Sequence, residues 1–156
     1  MKLYHSSDVS VPMPDIIHSR DYLDFGKGFY LTPIHEQAVR YAQRFLRRQR
    51  TAWLNTYEFD FNPAEWKNLK FNNYDKDWLS FVANCRAGKD ISDYDIIIGG
   101  IANDKVIQTL DRYFAGELSE HDTLGLLIYE KPNIQYCIRS QRMLDECLKH
   151  IESKQL

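Results

Sequence analysis

Eight residues, Phe25-Gly26-Lys27-Gly28-Phe29-Tyr30-Leu31-Thr32, constrain this chain more than any other segment. Two glycines two residues apart lead directly into an aromatic, β-favouring run. That is the pattern of a tight turn whose backbone approaches something closely before it opens into a strand. Upstream, Leu3-Tyr4-His5-Ser6-Ser7 reads as a short strand ending in a histidine and two hydroxyls. Downstream, Tyr41 follows Tyr30 by eleven residues, on a helical pattern. Alone, the octamer is an ordinary hairpin entry; its neighbours give it chemical meaning.

The 156 residues suit one domain, 1–156, with enough chain to bury a core. A net charge of −2 and a pI near 6.2 give no global basic field of the kind that marks nucleic-acid binders. No apolar run approaches the roughly 20 residues of a membrane span, and the N-terminus lacks a signal-peptide core. Cys85, Cys137 and Cys147 are scattered without metal-ligand spacing, so they read as buried thiols of a reducing compartment. The expected location is the cytoplasm, with no metal and no membrane partner.

Along the chain, 2–6 forms a strand and 8–24 a loop containing Pro12 and Pro14. A strand at 28–32 ends at Pro33, which suits the first turn of a helix over about 34–49. That helix ends in Arg44, Arg47, Arg48 and Arg50. Cations near a helix C-terminus are favoured by the dipole, and a patch for phosphate or an acidic partner stays open as the alternative. Thr51–Phe61 alternates as a strand, and Leu69-Lys70-Phe71 suggests a short one. Asp75–Ala87 reads as a helix stopped at Gly88. Tyr94–Ile101 is a buried strand ending at Gly99-Gly100. Asn103 and Asp104 cap a helix at about 105–115, and Ser119–Ile128 fits either a helix or a strand. Gln135–Arg139 is a strand and Met143–Ile151 a final amphipathic helix.

The order of His5, the glycine motif closing on Tyr30, and a late strand opening at Gln135 resembles the ADP-ribosyltransferases of the diphtheria-toxin and poly(ADP-ribose) polymerase branch. Their signature is His, Tyr and Glu on three strands, and the polymerase motif Phe-Gly-Lys-Gly-Ile-Tyr-Phe is similar to Phe25–Leu31 here. More narrowly, the chain is similar to a small bacterial family with a His-Tyr-Gln form of that signature. The resemblance implies an α+β fold: a split, mostly antiparallel sheet with flanking helices and a central cleft for NAD. It also implies transfer of ADP-ribose from NAD to a macromolecular acceptor, protein or nucleic acid, with release of nicotinamide. A bacterial or phage origin follows, with action as a toxin paired with a neutralising antitoxin protein.

In that resemblance His5 and Gln135 hold the nicotinamide-side ribose, while Ser6 and Gly28 lend backbone or hydroxyl contacts. Tyr30 and Tyr41 sandwich the nicotinamide, since flat rings hold a flat cationic ring by stacking and cation–π attraction. Arg20 is matched to the dinucleotide phosphates. Asp104 is either a helix cap or a spare carboxylate in the cleft. Two departures stand out: Ala38 replaces a serine that bonds the carboxamide, and Gln135 replaces the Glu. Breaking the nicotinamide–ribose bond builds positive charge on the sugar, which a carboxylate stabilises and an amide only orients. An NAD glycohydrolase and an inactive NAD-, nucleotide- or protein-binding module therefore stay open.

Overall fold

The computed structural model describes all residues, Met1–Leu156, and forms an α+β fold of two sheets and five helices. Strand β1 (Lys2–Ser7) pairs antiparallel with β3 (Trp53–Phe59), setting His5 opposite Asn55. On the other side of β3 lies β7 (Leu148–Gln155), with a register shift between Thr56 and Tyr57. This first sheet has the order β1-β3-β7. The second sheet comprises β2 (Phe29–Leu31), β6 (Gln135–Ile138), β5 (Ile96–Gly99) and β4 (Asn68–Lys70), in that order. Its β4–β5 pair is parallel and the others are antiparallel. A single backbone bridge, Tyr4 to Thr32, joins the sheets, with N–H to O distances of 2.8 and 3.0 Å.

Strand alternation distributes the core between the two faces of the second sheet. Phe29, Leu31, Ile96 and Ile138 point toward the first sheet and meet Leu3, Tyr57 and Phe59. Tyr30, Ile97 and Cys137 point the other way, into a cluster with Phe25, Trp78, Leu79, Val106 and Leu110. Being covered on both faces explains why β5 reads as a continuous apolar run. The second cluster is roofed by α2 (Lys76–Arg86), α3 (Asp104–Phe114) and α4 (Glu120–Leu127). Helix α2 supplies the crossover that the parallel β4–β5 pair requires. Helix α1 (His35–Arg47) carries the chain from the second sheet back to the first. No helix is long and apolar enough to cross a membrane.

The helix starts are chemically marked. Asp75 accepts from Trp78 N at 3.0 Å, Asn103 from Val106 N at 2.9 Å and Ser119 from Asp122 N at 3.0 Å. Each such cap contributes about 1 kcal/mol. The cap of α3 is thus Asn103, and Asp104, expected to share that role, is instead the first helical residue. The Ser119 cap also resolves Ser119–Ile128 in favour of helix. The helix expected over Met143–Ile151 is corrected more substantially. Helix α5 (Gln141–Cys147) begins earlier, capped by Ser140, and ends as β7 starts at Leu148. The outer edge of β3 would otherwise be unpaired, and satisfying its backbone groups outweighs the weak helical periodicity of 148–151.

Candidate functional site

The sheets part beyond the Tyr4–Thr32 bridge, and the residues carrying the sequence signature gather around that point. His5 follows Tyr4 on β1, and its Nδ1 lies 2.8 Å from the carbonyl oxygen of Tyr30. A carbonyl only accepts, so Nδ1 carries the proton and donates. Burial holds the His5 pKa below its ordinary value of 6.5, with the bond to Tyr30 partly opposing that shift. The ring is therefore neutral near pH 7, and its Nε2 is a lone-pair acceptor with no partner in the chain. Phe29 fixes the ring from one side, with centroids 4.3 Å apart and planes inclined by 32°. One residue on, the Ser6 hydroxyl donates to the Ala38 carbonyl at 2.6 Å, tying β1 to α1.

The glycine motif is closed by its own tyrosine. Gly26 has φ of +74°, a conformation that favours glycine. The Tyr30 hydroxyl donates to Gly26 O at 2.7 Å and accepts from Phe25 N at 3.1 Å. Burial first, then the neighbouring Cys137 thiol, pushes the phenol pKa far upward, so it stays protonated. Gly28 N donates to Ser19 Oγ at 2.9 Å. A Cβ on Gly28 would stand 2.5 Å from Cys137 Sγ and 2.9 Å from the carbonyl oxygen of Ile138. Close approach to β6 is therefore what requires this glycine.

Gln135 opens β6, opposite Gly99, on the same face as Cys137. Cys137 pairs directly with Tyr30, which makes Gln135 its diagonal neighbour, roughly 7–8 Å away across the strands. Extended by one residue, the same register sets Gln135 beside Thr32, at the bridge to Tyr4. Gln135 is 8% exposed, and its amide makes no hydrogen bond within the chain. No fully buried side-chain nitrogen or oxygen lacks a partner, so this amide opens to the surface. Such an amide is ready for an external donor or acceptor.

Tyr41 lies on α1 one turn beyond Ala38 and is 40% exposed. Phe45 meets its ring edge-on at 6.0 Å, and the Arg44 guanidinium lies 4.9 Å from its centroid. No ion pair or side-chain hydrogen bond links the remaining two expected residues to this group. Arg20 is exposed in the loop preceding the motif, next to Ser19, whose hydroxyl holds Gly28. Asp104 is exposed in the first turn of α3. Two open depressions, of about 330 and 320 Å³, lie elsewhere, beside Trp66 and Cys147 and between Tyr74 and Leu127. What singles out the sheet junction is the backbone register, which sets His5 beside Tyr4 and Gln135 beside Thr32 at the bridge, and not cavity depth.

Two supporting residues escaped the sequence reading. Asp24 takes Arg86 Nε and Nη2 on Oδ1, at 2.7 and 2.6 Å, and Ala102 N on Oδ2 at 2.8 Å. It thereby ties the glycine motif to α2 and to the end of β5. Asn55 is fully buried and accepts from Val11 N at 2.8 Å and Ser153 Oγ at 2.6 Å. Its Nδ2 donates to the His5 carbonyl at 3.3 Å, so β7 and the loop after β1 both brace the His5 backbone. The available signals were an acid directly before the motif and an amide in the middle of an apolar strand.

No curated protein and no solved structure gave a significant match to the chain. Residues 1–150 match the model of a family described as "Protein of unknown function (DUF3990)", and the chain belongs to that family.

Proposed function

We propose that the chain is an NAD-dependent mono-ADP-ribosyltransferase of ADP-ribosyltransferase-like fold, with its site where the two sheets part. The observation that carries this is the His5–Tyr30 hydrogen bond, which joins the two sharpest sequence motifs and leaves Nε2 as a fixed acceptor. A ribose hydroxyl suits that acceptor, and the open Gln135 amide suits its neighbour hydroxyl. The exposed ring of Tyr41 offers a platform for the cationic pyridinium. Tyr30 contributes its ring alone, because its hydroxyl is engaged within the motif.

The bond between nicotinamide nitrogen and ribose C1′ breaks with its electron pair leaving on nicotinamide. The acceptor atom supplies a pair to C1′ and gives up its proton to water. Neutral His5 and Gln135 bring no charge to the developing oxocarbenium, so catalysis relies on orientation. Ser6, Gly28, Arg20 and Asp104 belong to the same proposal as supporting or phosphate-side residues. In a bacterial cytoplasm such an enzyme consumes NAD and marks a macromolecule, which suits a toxin held by a cognate antitoxin.

Incubation with adenine-labelled NAD in bacterial lysate tests this. Label that becomes macromolecular, and is removed by protease or by nuclease, supports the transferase. Free ADP-ribose with no labelled macromolecule indicates a glycohydrolase, and intact NAD indicates a binding module.

A further inference from the structure

The exposed face of α1 carries a concentration of cations that the site above does not use. Residues 34–50 hold five of the chain's 20 Lys and Arg and one of its 22 Asp and Glu, so the remainder carries a net charge of −6. All five are arginines, and Arg40, Arg44, Arg47 and Arg48 are exposed and make no ion pair; Arg50 pairs with Asp8. The C-terminal dipole accounts for Arg44, Arg47 and Arg48 but not for Arg40, which lies in the second turn of α1. Arg40, Arg44 and Arg47 follow one stripe about 10 Å long at 1.5 Å per residue. Tyr41 lies within it, stacked with the Arg44 guanidinium. One turn earlier, Ala38 accepts from Ser6, so the stripe abuts the proposed NAD site.

We infer that this face binds the sugar-phosphate backbone of a single-stranded nucleic acid, and that nucleic acid is the macromolecular acceptor. The second half of that inference rests on the transferase reading; the binding face does not. Guanidinium groups match phosphate oxygens in a bidentate fork, which explains arginine without lysine. The Arg44 guanidinium, braced on Tyr41, supplies a flat, cationic surface on which a base stacks beside the ring proposed for the nicotinamide, an element an acidic protein surface would not need. An unstacked base is also what a fixed C1′ requires of a nucleic-acid acceptor. The negative remainder of the molecule confines a polyanion to this face.

The test is fluorescence anisotropy of labelled 12-nucleotide single strands, DNA and RNA, without NAD. With three to four phosphates neutralised, log affinity falls against log salt with a slope of about −2 to −3. The variant Arg40→Gln/Arg47→Gln/Arg48→Gln, with its fold verified by circular dichroism, should bind at least tenfold more weakly. It should keep the wild-type affinity for NAD. Failure of the wild type to bind either strand at low salt overturns the inference, as does a variant that binds equally well. Tighter binding of polyglutamate than of the oligonucleotides assigns the face to an acidic protein and also overturns it. Weakened NAD binding in the variant assigns the arginines to the dinucleotide's own diphosphate, with the same consequence. A wild type that binds the strands but releases no nicotinamide defeats the transferase reading and leaves the binding face standing.

Discussion

His5 donates from Nδ1 to the main-chain carbonyl of Tyr30 across 2.8 Å, locking one tautomer and facing Nε2 away from the motif. Since burial lowers the His5 pKa below 6.5, the folded protein binds fewer protons there than the unfolded chain between the lowered value and 6.5. The stability this histidine contributes is therefore complete above pH 6.5 and is lost as pH falls through the folded value. A ¹⁵N imidazole NMR titration should show a neutral, Nδ1-protonated ring at pH 7 and a midpoint below 6.5. A midpoint above 6.5 contradicts the assignment.

The two tyrosines should separate experimentally. Tyr30→Phe strips the partners from Phe25 N and Gly26 O, at a cost of about 1–3 kcal/mol in urea unfolding. Tyr41 makes no such bonds and is exposed, so Tyr41→Ala should fold normally. Losing one stacking platform, worth on the order of 1–3 kcal/mol, should weaken NAD binding roughly tenfold or more by calorimetry. Unchanged affinity would put the nicotinamide elsewhere.

Gly28→Ala forces a methyl against Cys137 Sγ and the Ile138 carbonyl. Backbone cannot yield as a flexible side-chain tip does, so thermal or urea unfolding should show a loss of about 1–3 kcal/mol or more. Gly116→Ala meets nothing within 4 Å, but its φ of +78° still strains an alanine. Gly28 has no positive φ, so its loss reports the contact with β6 alone, and a Gly28→Ala protein of wild-type stability would contradict that contact.

Local chemistry was readable where it was self-contained. Asp75 announces α2, Gly88 (φ +70°) ends it, and the glycine octamer marks the turn before β2. Long-range decisions were not. Lys149-His150-Ile151-Glu152 has no strong strand character, and only the open edge of β3 makes it β7. Asp24 and Asn55 likewise gain their roles from partners such as Arg86 and Ser153, distant in sequence. His5, Tyr30 and Gln135 were found as a motif order, but their arrangement depends on two strand registers that no local pattern specifies.

Gln135 should limit the product. An amide lacks the basicity to activate an acceptor hydroxyl on bound ADP-ribose, so chains should not grow. Mass spectrometry of the acceptor should show one ADP-ribose unit per site. Gln135→Ala should lose most activity and Gln135→Glu should keep part of it. Ladders of repeated units from the wild type would contradict this.

Release of labelled nicotinamide from NAD, by the wild type and by His5→Ala in the same lysate, bears most directly on the proposed site. Loss of the fixed Nε2 acceptor should slow release by roughly 100-fold, the scale of a misplaced reacting group, while circular dichroism stays native. Wild-type protein that releases no nicotinamide under any acceptor condition, or a folded His5→Ala that releases it at the wild-type rate, would contradict the account.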